Sequence, residues 1–223
     1  MFLKFPDKKQ EIFENYETPD PVRIEKAIKF IRKYFGEVKG LDILDCGISK
    51  GGVSDRLATE GSNCFGVDIN LRDIKGVKII QADLNKEIPE FGIDFDVIFA
   101  GEIIEHLFDD RKFIRDCYKS LKSKSILIVT TPNLVSLVNR LLMLFGAMPM
   151  SSHAAAPFHY HVYNRNAIKK LLEEEGFKIL KATSSYLLGN LFTKIPGIGK
   201  IFGFLGDVFP TLGDQLIIFA RKD

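Results

Sequence analysis

Apolar positions between Val22 and Phe35 recur at intervals of three and four. Ile24, Ala27, Ile28, Ile31 and Phe35 fall on one face, and Gly36 closes the run. That spacing predicts an amphipathic helix with one face turned to a core. Ahead of it the first twenty or so residues (up to Pro19 and Pro21) are charged and irregular. Beyond it the period changes. "LDILDC", "NCFGVDI", "VKIIQAD", "FDVIFAG" and "SILIVTT" are short, near-continuous apolar runs, and helix-like segments fill residues 51–60 and 107–121. Strands buried on both faces of a parallel sheet read this way. Strands alternating with helices predict an α/β, doubly wound architecture.

The C-terminal third follows a different pattern. Residues 134–150, "LVSLVNRLLMLFGAMPM", predict a strongly apolar helix-like stretch ending in Gly146 and Pro149. "NRNAIKKLLEEEG" predicts another helix, capped by Asn164 and closed by Gly176. "FKILKATSSYLL" and "QLIIFARK" read as two last strands able to pair antiparallel, which brings the expected sheet to seven strands. Between them lies "GNLFTKIPGIGKIFGFLGDVFPTLGD", oily and repeatedly interrupted by Gly and Pro. No long helix is expected there; it reads as a lid or surface element. The expected organisation is an N-terminal segment and helix over 1–36, then one domain over 37–223 with apolar, lid-like insertions at about 134–160 and 187–213.

Composition adds limits rather than identity. A chain of 223 residues, 46% hydrophobic and 27% charged, has ample apolar material for one α/β core. The net charge of +2 and scattered basic residues give no footprint for nucleic acid, so no such partner is expected. Cys46, Cys64 and Cys117 are few, odd in number and without metal spacing, which implies free thiols in a reducing compartment. "MFLKFPDKKQEIFENYE" lacks a signal-peptide pattern, and no run reaches the ~18 apolar residues that span a bilayer. The expectation is a soluble, cytoplasmic protein.

Chemistry concentrates in residues 43–57, "ILDCGISKGGVSDRL", where strand, glycine loop and helix follow one another as in nucleotide cradles. Two readings compete. As a dinucleotide fingerprint, Gly47, Ser49 and Gly52 would fill the three glycine positions and imply an NAD(P)-dependent oxidoreductase. Alternatively Asp45 leads the motif, followed by Gly47, Ser49 and Gly51. A carboxylate there repels a pyrophosphate at the helix N-terminus and suits a ligand carrying a cationic amine and a sulfonium. Asp68 ends the second strand in "GVDIN" and Asp83 follows the third. A lone strand-end Asp is commonly a cap or turn residue. Three on successive strands mark the edge where open α/β sheets bind ligands.

These residues resemble the class I methyltransferases that use S-adenosyl-L-methionine, whose first motif is acid-x-Gly-x-Gly-x-Gly. "FDVIFAGEIIEHL" with the later "TTPN" looks like the ubiquinone-type and glycan-cluster branches, and "HVYNRNAIKKLLEEEGF" and "DQLIIFARK" also fit, so the likeness covers about residues 40–223. The resemblance implies a Rossmann-like, doubly wound, seven-stranded, mostly parallel sheet with an antiparallel last strand, and S-adenosyl-L-methionine as cofactor. It assigns Asp45, Gly47, Ile48, Ser49 and Gly51 to the cofactor loop, Asp68 with Ile69 to the ribose, Asp83 with Leu84 to the adenine, and Ala100 to the cofactor-side end of the fourth strand. Ser49 departs from the family's central glycine and is expected to weaken binding without abolishing it. Lys50 is expected to face solvent. A non-catalytic partner subunit of the same fold is the alternative from another functional class.

Glu102, Glu105 and His106 share one face if "GEIIEHL" enters a helix. His159 and His161, in "FHYHVY", are placed to meet them from the C-terminal third. Two carboxylates with imidazoles suit Mg²⁺ or Mn²⁺ better than structural zinc. The pattern resembles the metal site of small-RNA 3′-end and ubiquinone-type O-methyltransferases, and that resemblance implies Glu102, Glu105, His106 and His161 as ligands. Without a metal, His106 or His161 leads as the catalytic general base; His153 reads as a loop residue. The oily stretches suit a small-molecule, glycan-like or lipid-like acceptor, with core packing and a homodimer face as equal readings. Their few flanking cations leave peripheral membrane contact open but weakly supported. The expected activity is O-methylation of a small metabolite, quinone precursor or sugar hydroxyl.

Overall fold

The computed structural model describes residues 20–71, 73–150, 158–187 and 198–223. The irregular N-terminal stretch before Asp20, His153 and residues 188–197 of the second insertion lie outside the described residues. Helix α1 (Pro21–Phe35) opens the fold: Asp20 accepts hydrogen bonds from the Val22 and Arg23 amides, Pro21 holds the first turn, and Gly36 at φ +80° ends it. Then come β1 (Asp42–Cys46), α2 (Ser54–Thr59), β2 (Asn63–Asp68), β3 (Val77–Gln81) and β4 (Phe95–Gly101). A 3₁₀ turn (Ile104–His106), α3 (Asp110–Ser120), β5 (Leu121–Pro132) and α4 (Leu137–Leu144) follow. The chain closes with α5 (Arg165–Glu174), β6 (Phe177–Ser184), α6 (Ile198–Val208) and β7 (Gln215–Lys222).

The seven strands form one sheet in the order β3-β2-β1-β4-β5-β7-β6. Strands β1 to β5 are parallel, and β7 runs antiparallel between β5 and β6, as expected for the last two strands. Both sheet faces are covered, which explains the near-continuous apolar runs. Ile24, Ala27, Ile28 and Ile31 of α1 join Val53, Leu57, Ile43 and Phe219 on one face. Phe113, Ile114 and Cys117 of α3 and Ile168 and Leu172 of α5 pack on the other with Leu44, Ile98 and Leu127. All three cysteines are buried free thiols, as expected.

Three elements differ from the sequence expectation. The helix after the loop starts only at Ser54, because Gly51 and Gly52 take φ +89° and +128°. The apolar stretch 134–150 is helical over only eight residues and turns away at Gly146. The second insertion, too interrupted by glycine for a long helix by sequence, carries the eleven-residue α6. Its glycines are contact points rather than breaks: a Cβ on Gly206 would stand 2.5 Å from the Ser185 carbonyl oxygen.

Candidate functional site

The loop between β1 and α2 is built from glycines that only its geometry requires. The Gly47 and Ile48 amides donate to the Val67 carbonyl at 2.8 and 3.2 Å, folding the chain back over β2. Ile48, 2% exposed, is seated on Gly66, where a Cβ would approach its side chain to 2.6 Å. Ser49 holds φ +47°, the left-handed conformation its motif neighbours Gly47 and Gly51 also adopt. A serine can take this conformation at a cost of roughly 1 kcal/mol. Its exposed side chain, like that of Lys50, leaves the loop backbone intact.

The three strand-end acids converge as the topology dictates, since β1, β2 and β3 are parallel neighbours whose C-terminal ends share one edge. Asp45 is 3% exposed and accepts a hydrogen bond from the Ser54 hydroxyl at 2.8 Å. Burial pushes its pKa up from 3.8 to about 7, against the pull of Ser54 and the Arg23 charge. Asp68 accepts from the Ser49 amide on one oxygen and the Asn70 amide on the other, both at 2.9 Å, so it ties the loop to the end of β2. Asp83 receives the Asn85 amide at 3.0 Å. Ala100 and Leu84 are buried, whereas Ile69 is 45% exposed beside Asp68, an apolar wall at the crevice mouth.

At the end of β4 the chain does not enter a helix. Glu102 adopts φ +55° and the following turn is a single 3₁₀ turn, so the expected one-face array of Glu102, Glu105 and His106 is not formed. Glu102 turns instead to Arg23 of α1, 3.2 Å away, whose guanidinium also reaches the Thr130 hydroxyl at 3.3 Å. Glu105 points inward, 1% exposed, with no hydrogen-bond partner on either carboxyl oxygen. Burial and the Glu102 charge hold its pKa well above the ordinary carboxyl value. His106 meets it, with Nδ1 2.9 Å from the Phe158 carbonyl oxygen. A carbonyl only accepts, so Nδ1 carries the proton and Nε2 the lone pair. Burial lowers the pKa of this imidazole and keeps it neutral.

The third member of the cluster is His159, not His161. Ligand-capable atoms of Glu105, His106 and His159 lie within 4.8 Å of one another. His161 stands apart, its Nε2 3.3 Å from the Phe108 carbonyl and its Nδ1 3.9 Å from Asp110. The Tyr160 and His161 amides both approach the Glu105 carbonyl, at 2.8 and 3.3 Å; two successive amides on one carbonyl break the period of two by which 159 and 161 would share a face in a strand. Phe108 and Tyr160, rings 4.5 Å apart and both exposed, rim the cluster. Arg23 was not singled out by sequence; the available signal was a charged residue beside the inward positions Ile24 and Ala27 of an amphipathic helix.

Comparison with known proteins places this geometry. Residues 18–182 match a family model described as a methyltransferase domain. The chain is 27% identical over 143 residues to a probable S-adenosylmethionine-dependent methyltransferase, Rv3030, of Mycobacterium tuberculosis, covering 61% of this chain and 48% of that protein. It is 28% identical over 123 residues to the ubiquinone biosynthesis O-methyltransferase of Rickettsia canadensis, covering 51% of this chain and 52% of that protein. The chain thus spans about half the length of the curated relatives it matches. Among solved structures, it resembles the plantazolicin methyltransferase BpumL in complex with a triazolic desmethylPZN analog and S-adenosylhomocysteine (TM-score 0.65, 17% identity, 98% of this chain and 92% of that one). The magnesium protoporphyrin IX methyltransferase of Synechocystis PCC 6803 with bound S-adenosylhomocysteine also shares the fold (TM-score 0.62, 16% identity, 91% and 83%).

Proposed function

Since the chain belongs to the methyltransferase-domain family, we propose that it is an S-adenosylmethionine-dependent methyltransferase whose acceptor is a hydroxyl group of a small or amphipathic molecule, methylated beside Glu105, His106 and His159. The convergence of these three side chains within 4.8 Å is the observation that carries the reading. In this reading the strand-end acids orient the cofactor, Asp45 facing its cationic amine and Asp68 its ribose hydroxyls. The acceptor oxygen attacks the methyl carbon in line with the departing sulfur; the C–S bond breaks as the C–O bond forms, leaving S-adenosylhomocysteine and a methyl ether. Most of the acceleration then comes from positioning. The hydroxyl proton passes to an imidazole, for which the neutral His106 is suited. His161 is left to position the rim through Phe108 and Asp110 rather than to take the proton.

The same cluster fits a divalent ion. One carboxylate and two imidazoles are a donor set better suited to a first-row transition ion such as Mn²⁺ or Zn²⁺ than to Mg²⁺, which prefers oxygen ligands, and the buried Glu105 oxygens hold no hydrogen bond that an ion would displace. Glu105, His106 and His159 would hold the ion, in place of the expected Glu102 and His161. When bound it would lower the pKa of the acceptor hydroxyl. The test is release of S-adenosylhomocysteine from matched acceptors bearing vicinal hydroxyls, a carboxylate or an amine, with and without Mg²⁺ or Mn²⁺. Turnover confined to the hydroxyl acceptors supports the reading. Turnover of the carboxylate or amine alone refutes it.

A further inference from the structure

Helices α4 and α6 are turned the wrong way for a protein surrounded by water. An ordinary surface helix buries its apolar stripe and exposes its polar one. In α4 the inward residue is Asn139, whose amide donates to the Asn133 carbonyl at 2.9 Å and whose side-chain oxygen accepts from the Met150 amide at 2.9 Å. Its outer side carries Leu141, Met143, Leu144 (75% exposed) and Phe145 (83% exposed). Helix α6 repeats the inversion. Its inward contacts are polar: Lys26 of α1 donates to the Gly203 carbonyl at 2.8 Å and pairs with Asp207, Thr183 bonds Asp207, and the Ser184 hydroxyl donates to the Gly206 carbonyl at 2.8 Å. Its outer side carries Ile201 (59%) and Phe204 (64%), then Val208 and Phe209.

The two inverted helices belong to one surface. The Leu137 amide donates to the Leu212 carbonyl at 2.8 Å, and the Asn133 side chain donates to the Thr211 and Gly213 carbonyls at 3.0 and 2.7 Å. Helix α4 leaves the end of β5, and α6 lies between the end of β6 and the start of β7, so both stand at the sheet edge that holds Asp45, Asp68 and Glu102. Arg140 is exposed on α4; its Nε donates to the Val135 carbonyl at 2.7 Å, and no acid lies within its helix. In sequence α6 holds one cation, Lys200, and one acid, Asp207. That acid is engaged inward by Lys26 and Lys181, so it does not offset Arg140.

We propose that this face docks the protein on an anionic lipid bilayer, with the apolar sides of α4 and α6 entering the interface and the cofactor edge held over it. Apolar anchors beside the exposed Arg140, on two helices whose one acid is paired inward, match that surface. A second copy of the chain fits less well, because neither helix carries an unpaired acid to meet Arg140 across a two-fold contact. The inference goes beyond the acceptor reading above and stands or falls separately from it.

The test uses the full chain, the Phe145→Asp/Phe204→Asp double variant, and vesicles of phosphatidylcholine with or without phosphatidylglycerol. Both substitutions sit at exposed positions, and calorimetric binding of S-adenosylmethionine reports that fold and cofactor site are intact. The native chain floats with the phosphatidylglycerol vesicles, less so at high salt, and the double variant loses about tenfold or more in partitioning with cofactor affinity unchanged. Three results overturn the proposal: no flotation of the native chain, flotation of the double variant equal to native, or a native dimer dissociated by the double variant with neither form binding vesicles.

Discussion

Asp45→Asn separates what the buried acid costs the fold from what it gives the cofactor. In the folded protein the Asp45 pKa stands at about 7 against an ordinary 3.8, because burial disfavours the carboxylate. An acid raised in the folded state binds its proton more tightly there than in the unfolded chain. Stability is therefore undiminished below pH 3.8 and falls as pH rises, until the penalty is complete above about pH 7. At about 1.4 kcal/mol per tenfold the full penalty is about 4 kcal/mol, of which roughly 2–3 kcal/mol develops between pH 5 and pH 8. Asparagine carries no such penalty and keeps an oxygen able to accept from Ser54, 2.8 Å away in the native protein. Any fixed cost of orienting its amide is the same at both pH values. The melting temperature of Asp45→Asn minus that of the native protein, without cofactor, should thus rise by about 5–10 °C between pH 5 and pH 8 for a domain of this size. Calorimetric scans at pH 5, 6.5 and 8 measure it. S-adenosylmethionine should stabilise the native protein more than the variant, whose affinity for it falls about 10- to 100-fold, the worth of a charged hydrogen bond. A melting difference that stays constant with pH would refute the argument, since it would mean Asp45 is already ionised in the cofactor-free fold.

Other substitutions probe separate parts of the site. Asp68→Ala removes the acceptor of the Ser49 and Asn70 amides and should raise the cofactor dissociation constant about 10- to 100-fold by calorimetry; an unchanged value would remove Asp68 from the site. Gly66→Ala pushes a methyl group into Ile48, at 2.6 Å, and should cost about 1–3 kcal/mol in denaturant unfolding while weakening cofactor binding through the loop. With an identified hydroxyl acceptor, Glu105→Gln and His159→Ala should lower kcat about 100-fold while leaving cofactor affinity near native, whereas His161→Ala should cost much less; the reverse ranking would restore the expected His161. Lys26→Met removes the ammonium that holds Gly203 and Asp207 and should speed amide exchange across α6 about tenfold, with β1 and β4 unchanged.

The placement of the strand-end acids in the candidate cofactor site was legible in the sequence because its signals are local. Asp45 and Asp68 lie at the ends of their strands and Asp83 just beyond one, and parallel pairing of neighbouring strands carries them to one edge whatever the packing beyond. Strand β4, "FDVIFAG", and strand β7, "QLIIFARK", coincide with their apolar runs, because burial on both faces keeps their central positions apolar. The acceptor half was not legible. Whether His159 or His161 meets Glu105 depends on two amides approaching one carbonyl more than fifty residues earlier in the chain. Glu102 escapes its expected helical face because Arg23 holds it across the sheet edge. Helices α4 and α6 carry a periodicity that says they have an apolar side; only packing decides where that side points. Periodicity is a property of the segment alone, whereas orientation depends on polar partners such as Asn133 and Lys26 that other parts of the fold supply.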